Sequence, residues 1–147
     1  MSDNSLTIEI VVPQSPEEVF TAVTNVRAWW HEGLQGESAA AGDQFTFDDG
    51  SLRCRVRLTE ATPARRVVWH VLNSHLDFIK DDDEWTDTRV IFDITRTPTG
   101  TVLRFTHQGL LPTSECYKEC SRGWDFYINT SLPDLITTGA GQPITKS

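Results

Sequence analysis

The sequence predicts an α+β domain in which a curved antiparallel sheet of about six strands wraps round one long C-terminal helix, with two short helices after the first strand. Three observations carry that prediction. Period-two alternation of apolar and polar residues recurs in segments separated by turn residues through the middle of the chain. One long amphipathic stretch follows near the C-terminus. No other segment is long enough to cover a sheet with one apolar face. The 147 residues fit a single domain, residues 1–147, with an ordered core over about 6–139 and a loosely held tail at 141–147.

Leu6, Ile8, Ile10 and Val12 alternate with Thr7, Glu9 and Val11, which marks a strand with one buried face. Pro13 ends it. Ser15-Pro16-Glu17-Glu18 is a helix start, with Ser15 at the N-cap, Pro16 at N1 and Glu18 placed to close a capping box. Val19, Phe20 and Val23 form the apolar stripe of a short helix to about Asn25. Val26 to His31 reads as a second short helical turn and 32–42 as a Gly, Ala and Ser-rich loop.

The strands then come in series. Phe45 and Phe47 precede the turn Asp48-Asp49-Gly50, a hairpin signal. Leu52, Cys54, Val56 and Leu58 alternate with Arg53, Arg55, Arg57 and Thr59, and Pro63 breaks the pattern. Val67, Trp69 and Val71 alternate with Arg66, Val68 and His70. The segment 73–84 reads as a loop. Thr88, Val90, Phe92 and Ile94 form the next strand. Leu103, Phe105 and His107 form the last. Thr113 or Ser114 caps the long helix, whose inward stripe is Cys116, Cys120, Gly123, Trp124, Tyr127, Ile128, Ser131 and Leu135. Pro133 removes an internal hydrogen bond and predicts a kink, and Gly139 is the expected C-cap.

Thirteen Lys and Arg against 21 Asp and Glu give a formal net charge of −8, which argues against a nucleic-acid backbone or an anionic membrane surface as partner. No run approaches the length of a membrane span, and the first residues lack the pattern of a signal peptide. Three cysteines cannot form a complete disulfide framework, so reduced thiols in the cytoplasm are expected.

Several local patterns resemble the helix-grip fold of START-like (SRPBCC) domains, within it the group similar to the C-terminal domain of the activator of Hsp90 ATPase. They are Pro13-x-x-Pro16-x-Glu18-Val19-Phe20, Trp29-Trp30 and Pro63-x-Arg65-Arg66-Val67-Val68-Trp69. Further along stand Thr88-Arg89-Val90-Ile91-Phe92-Asp93-Ile94 and Gly100-Thr101-x-Leu103-x-Phe105-Thr106-His107-x-Gly109, then Gly123-Trp124-x-Phe126-Tyr127. The resemblance runs from about residue 6 to 139 and implies a deep cavity between sheet and helix. The inward pattern supplies its walls. Phe45, Phe47, Cys54, Trp69, Phe92, Phe105 and His107 come from the strands. Cys120, Trp124 and Tyr127 come from the helix, and Trp30 is a further wall residue; of the adjacent Trp29 and Trp30, one is expected to pack into the core and the other to form a rim or lid. Gly123, costly in a helix interior, is explained by a close approach of ligand or sheet.

His107 shares the inward register, so it is a core histidine, a ligand contact or an acid–base group. His31 is expected at the surface. Cys54, Cys116 and Cys120 converge without the spacing of a metal site, and the consecutive acids of Asp81 to Glu84 lack the order of a calcium loop. No metal or other cofactor is expected. Arg53, Arg55 and Arg57 form an outer basic stripe that Asp93 and Glu60 can pair across strands.

Three functions follow. The first is binding of a small apolar or aromatic molecule, such as a lipid or polyketide, with His107 or Tyr127 orienting it. The second is a protein-interaction module of co-chaperone type, signalled by Phe126 on the polar side of the helix. No separate N-terminal domain is expected before residue 6, and on that expectation the chain departs from the Hsp90 activator itself. The third is a cyclase or hydrolase-like enzyme using His107. The sequence leaves the oligomeric state open.

Overall fold

A computed structural model describes residues 5–48, 52–76, 85–110 and 117–143. The hairpin turn at 49–51, the acidic run 81–84, the helix cap at 113–114, Cys116 and the tail from 144 lie outside these residues.

Strand β1 (Ser5–Val12) leads into helix α1 (Pro16–Thr24) and the single turn α2 (Val26–Trp29). The predicted capping box is present: the Glu18 backbone N–H donates to Ser15 Oγ at 3.2 Å, and the Ser15 N–H donates to Glu18 Oε1 at 3.1 Å. Five strands in meander follow the two-residue β2 (Gln35–Gly36): β3 (Gln44–Asp48), β4 (Leu52–Thr62), β5 (Arg66–Leu76), β6 (Arg89–Thr97) and β7 (Gly100–Gln108). They form one antiparallel sheet of seven strands in the order β1-β7-β6-β5-β4-β3-β2. The first strand therefore lies beside the last, from Ser5 opposite Gln108 to Val12 opposite Thr101. Register shifts at Arg55/Val56 and Leu58/Glu60 bend β4 against β5, which curves the sheet round its apolar face.

The expected sheet of about six strands thus has seven. β2 hides in the loop read at 32–42, because two exposed residues paired to Phe45 and Thr46 carry no alternation. β5 also runs past Val71 to Leu76, into the segment read as a loop. The register shift at Arg55/Val56 breaks the alternation after Val71, so Ser74 and Leu76 face inward in place of Asn73 and His75, and the Ser74 hydroxyl bonds Thr86 Oγ1 at 3.1 Å.

The C-terminal helix is not one α-helix with a kink. It is α3 (Tyr117–Phe126), a π-helical turn over Tyr127–Ser131, and α4 (Leu132–Thr138). In an α-helix the Pro133 ring collides with the carbonyl four residues back. The wide turn absorbs the conflict: the Leu132 N–H donates to the carbonyl of Tyr127, five residues back. The longer turn shifts the phase, so Leu132 and Ile136 are buried and the expected Leu135 is only half-buried. Gly139 caps α4 in the left-handed region, φ +87°, as its position predicts.

The tail is held further than expected. Ser131, fully buried, donates to the Trp29 carbonyl at 2.7 Å and accepts the Gln142 N–H at 2.8 Å. Gly141 lies so close to the Ala28 carbonyl that a Cβ there would sit 2.4 Å from its oxygen.

On the outer face the ion pairs differ from those expected. Arg66 lies 3.8 Å from Glu60 and 3.6 Å from Asp93, its direct partner in the β5–β6 register. Asp93 stands two strands away from β4 and so does not meet the arginine stripe. Arg53 pairs with Asp48 at 3.3 Å, and Arg104 with Glu9 at 2.6 Å, each with the residue opposite it. These exposed pairs contribute little to stability, about 0–1 kcal/mol each.

Candidate functional site

The inner face of the sheet gathers every tryptophan of the chain. Trp29 and Trp30 come from α2 and its C-cap, Trp69 from β5, Trp85 from the segment before β6 and Trp124 from α3. All five are at most 3% exposed. They form one row: Trp69 to Trp30 at 5.6 Å between ring centroids, Trp30 to Trp124 at 5.1 Å, Trp124 to Trp85 at 5.6 Å. The first and last steps are near-parallel, at 13° and 12°, and Trp29 stacks on Trp30 and Trp69 at 6.1 and 6.2 Å. Offset stacking at these separations suits the ring quadrupoles.

Phenylalanines edge the row. Phe47 stacks on Trp30 at 4.1 Å, and Phe45 meets Trp69 edge-on at 5.1 Å. Phe92 lies 5.0 Å from Trp69, and Phe105 lies 4.7 Å from Trp124. The period-two pattern explains the convergence, since these residues occupy inward positions of β3, β5, β6 and β7. Trp124 supplies the helix side, and the π turn and α4 settle against β1. Trp30 is buried with Trp29 rather than standing as an exposed lid, because the α2 turn carries both rings inward.

His107 sits at one end of the row with both ring nitrogens engaged. The Trp124 indole N–H donates to Nδ1 at 3.0 Å. That bond makes Nδ1 the acceptor, so Nε2 carries the proton and donates to Thr88 Oγ1 at 2.9 Å. The Thr88 hydroxyl in turn donates to the Trp85 carbonyl at 2.5 Å. Burial lowers the His107 pKa to about 3, so the ring is neutral at physiological pH. Of the roles open to His107, this geometry is that of a core histidine satisfied by its neighbours. His31, expected at the surface, is also buried. Its Nδ1 accepts the Gly33 N–H at 2.8 Å and its ring stands edge-on to Phe47.

Two of the indoles differ from Trp29 and Trp124. Trp29 donates to the Val23 carbonyl at 3.2 Å and Trp124 to His107, but Nε1 of Trp69 and of Trp85 is buried with no acceptor from the protein. A buried donor left unpaired costs about 1–3 kcal/mol.

The remaining expected residues take these places. Cys54 and Cys120 are buried thiols on β4 and α3, and Tyr127 is half-buried at the start of the π turn, its ring 5.3 Å from Phe126. Among the described residues no cluster of His, Cys, Asp or Glu has the makings of a metal site. Gly123 does not mark a tight approach, since a Cβ there would meet nothing within 4 Å. The flank of α3 beside Trp124 is open space. Sequence reasoning missed Trp85 and Thr88 as site residues. Trp85 follows the acidic run without any alternation, and Thr88 read only as the start of a strand.

Two surface grooves lie elsewhere. One of about 360 Å³ between α1 and α4 includes Glu17, Glu18 and Asn25, and one of about 450 Å³ includes Glu17, Arg65 and Arg96. Neither contains an aromatic residue, and charged walls suit an apolar ligand poorly.

A bent antiparallel sheet gripping a C-terminal helix over an aromatic interior defines a START-like helix-grip domain. The chain belongs to the family of Activator of Hsp90 ATPase homolog 1-like proteins, whose model matches residues 13–137. Its fold is similar to that of the Aha1 dimer of Colwellia psychrerythraea, with a TM-score of 0.75, 22% identity, and coverage of 93% of this chain and 98% of that one. It is similar also to DynU16, from the dynemicin biosynthetic locus, with a TM-score of 0.69, 19% identity, and coverage of 95% of this chain and 49% of that one. CalU16 from Micromonospora echinospora aligns with a TM-score of 0.64 and 19% identity over 92% of this chain and 77% of that one. At such identities these likenesses show the fold alone. No curated protein matches the sequence. No helix among the described residues is long and apolar enough to cross a membrane.

Proposed function

We propose that the domain binds a small apolar or aromatic molecule in the cytoplasm, between the inner face of the sheet and the C-terminal helix. The observation that carries this reading is the convergence of all five tryptophans in one buried row edged by four phenylalanines. Ligand sites are mostly apolar and aromatic, with a few placed polar groups. Burial supplies the affinity, about 25 cal/mol per Å² before the costs of ordering. Of the two groups expected to orient the ligand, His107 has both nitrogens committed inside the fold.

The test is a thermal-shift and native mass-spectrometry screen against fatty acids, polyketides and fused-ring aromatics. A saturable rise in Tm with a one-to-one adduct supports the proposal. No shift with any class removes it.

A second reading, a protein-interaction module, rests on Phe126, which is 41% exposed on α3. If it holds, Phe126→Ala abolishes capture of a partner from lysate while Tm is unchanged. Catalysis with His107 as acid or base finds less support, since its proton is fixed between Thr88 and Trp124 and its basicity is suppressed.

A further inference from the structure

The two unpaired indole N–H groups narrow the chemistry of the ligand, an inference that rests on the binding proposed above. Trp69 and Trp85 are each more than nine-tenths buried, and each holds a donor with no protein acceptor. They stand at the two ends of the row Trp69–Trp30–Trp124–Trp85, three ring-to-ring steps apart. The other two indole donors with defined partners are both spent inside the fold, on the Val23 carbonyl and on His107. Packing alone therefore does not account for tryptophan at positions 69 and 85, where phenylalanine would fill an apolar site without stranding a donor.

We propose that the bound molecule is a neutral planar aromatic carrying acceptor oxygens of the carbonyl or ether class, and that Trp69 and Trp85 hold those oxygens with their indole N–H groups. A methylene chain gives such donors nothing to bond. A flat ring offers faces that match the near-parallel indoles, and an oxygen on its edge meets a donor directed from the wall. An anion is disfavoured: none of the side chains of the row is cationic, and His107 is neutral. Oxygens at both ends of the molecule engage both donors, so selectivity lies in oxygen placement as well as in ring size. The role is one of recognition, with no covalent step.

The test compares 9-fluorenone with fluorene, a pair alike in shape that differs by one carbonyl. Dissociation constants are read by quenching of intrinsic tryptophan fluorescence in the wild type, Trp69→Phe and Trp85→Phe. Fluorenone is expected to bind about five- to tenfold tighter than fluorene, the worth of one hydrogen bond. In at least one variant the two affinities become equal while that for fluorene is kept. As a measurement that needs no folded variant, the indole ¹⁵N–¹H spectrum of the wild type should show one of the five resonances moving downfield with fluorenone and not with fluorene, since the single carbonyl reaches one end of the row. Equal affinities for the two in the wild type, with no indole resonance selective for fluorenone, overturn the acceptor-oxygen inference and leave apolar binding standing. Failure of both to bind, in a protein that also ignores the wider screen, removes the proposed function and this inference with it.

Discussion

The indole nitrogen of Trp124 lies 3.0 Å from Nδ1 of His107, and this bond ties the C-terminal helix to β7. It also sets the tautomer of a ring whose far nitrogen reaches Thr88 and, through it, the Trp85 carbonyl. One chain of three hydrogen bonds thus joins helix, strand and the segment before β6 beneath the tryptophan row.

That chain makes stability depend on acidity. His107 has a pKa of about 3 in the folded protein against 6.5 for an unperturbed ring, so the unfolded state takes up the proton first. The contribution of the neutral ring is complete above pH 6.5 and is lost as pH falls towards 3, at about 1.4 kcal/mol per unit. Urea unfolding of the wild type and His107→Gln between pH 7.5 and 5 measures the difference. Below pH 6.5 the wild type should lose up to that much more per unit than the variant. Parallel slopes would contradict the assignment of a buried neutral ring.

Thr88 is the middle of the relay. Thr88→Val leaves the Nε2 proton of His107 unpaired, while the Trp85 carbonyl keeps the backbone N–H of residue 88, at an expected cost of about 1–3 kcal/mol in denaturant unfolding. Thr88→Ser keeps the hydroxyl and loses only a methyl, about 0.8 kcal/mol. Similar losses in the two variants would show that the hydroxyl carries no weight.

Gly123 has neither a positive φ nor a neighbour within 4 Å of an added Cβ. Gly123→Ala should therefore stabilise the free protein by up to about 1 kcal/mol, read as a rise in the denaturation midpoint. A fall would mean that the flank of α3 is more crowded than this geometry allows.

Ser131 joins three parts of the chain through its bonds to the Trp29 carbonyl and the Gln142 N–H. Ser131→Ala should cost about 1–3 kcal/mol and raise hydrogen exchange at Gln142 above that of the wild type. Unchanged exchange at Gln142 would show that the tail is held by other contacts.

Much of this was legible in the sequence. The period-two strands, the capping box at Ser15 and the Gly139 cap depend on local spacing, and local spacing is what a sequence displays. The aromatic walls followed from alternation for Phe45, Phe47, Trp69, Phe92 and Phe105 and from the helical stripe for Trp124, and all six lie in the core. What escaped depends on distant partners. Ser74 reads as polar loop until Thr86 is seen to satisfy it inside, and the hydroxyls of Thr88 and Ser131 gain meaning only from groups 19 and 102 residues away. The π turn escaped because Pro133 announces a conflict without saying how the helix resolves it.

The most direct measurement is a crystal structure of the protein grown with the tightest binder of the screen. The account predicts ligand density against the faces of Trp30, Trp69 and Trp124, beneath α3 and inside the curve of the sheet. Density confined to the outer surface, with the indole row closed and unchanged, would contradict it.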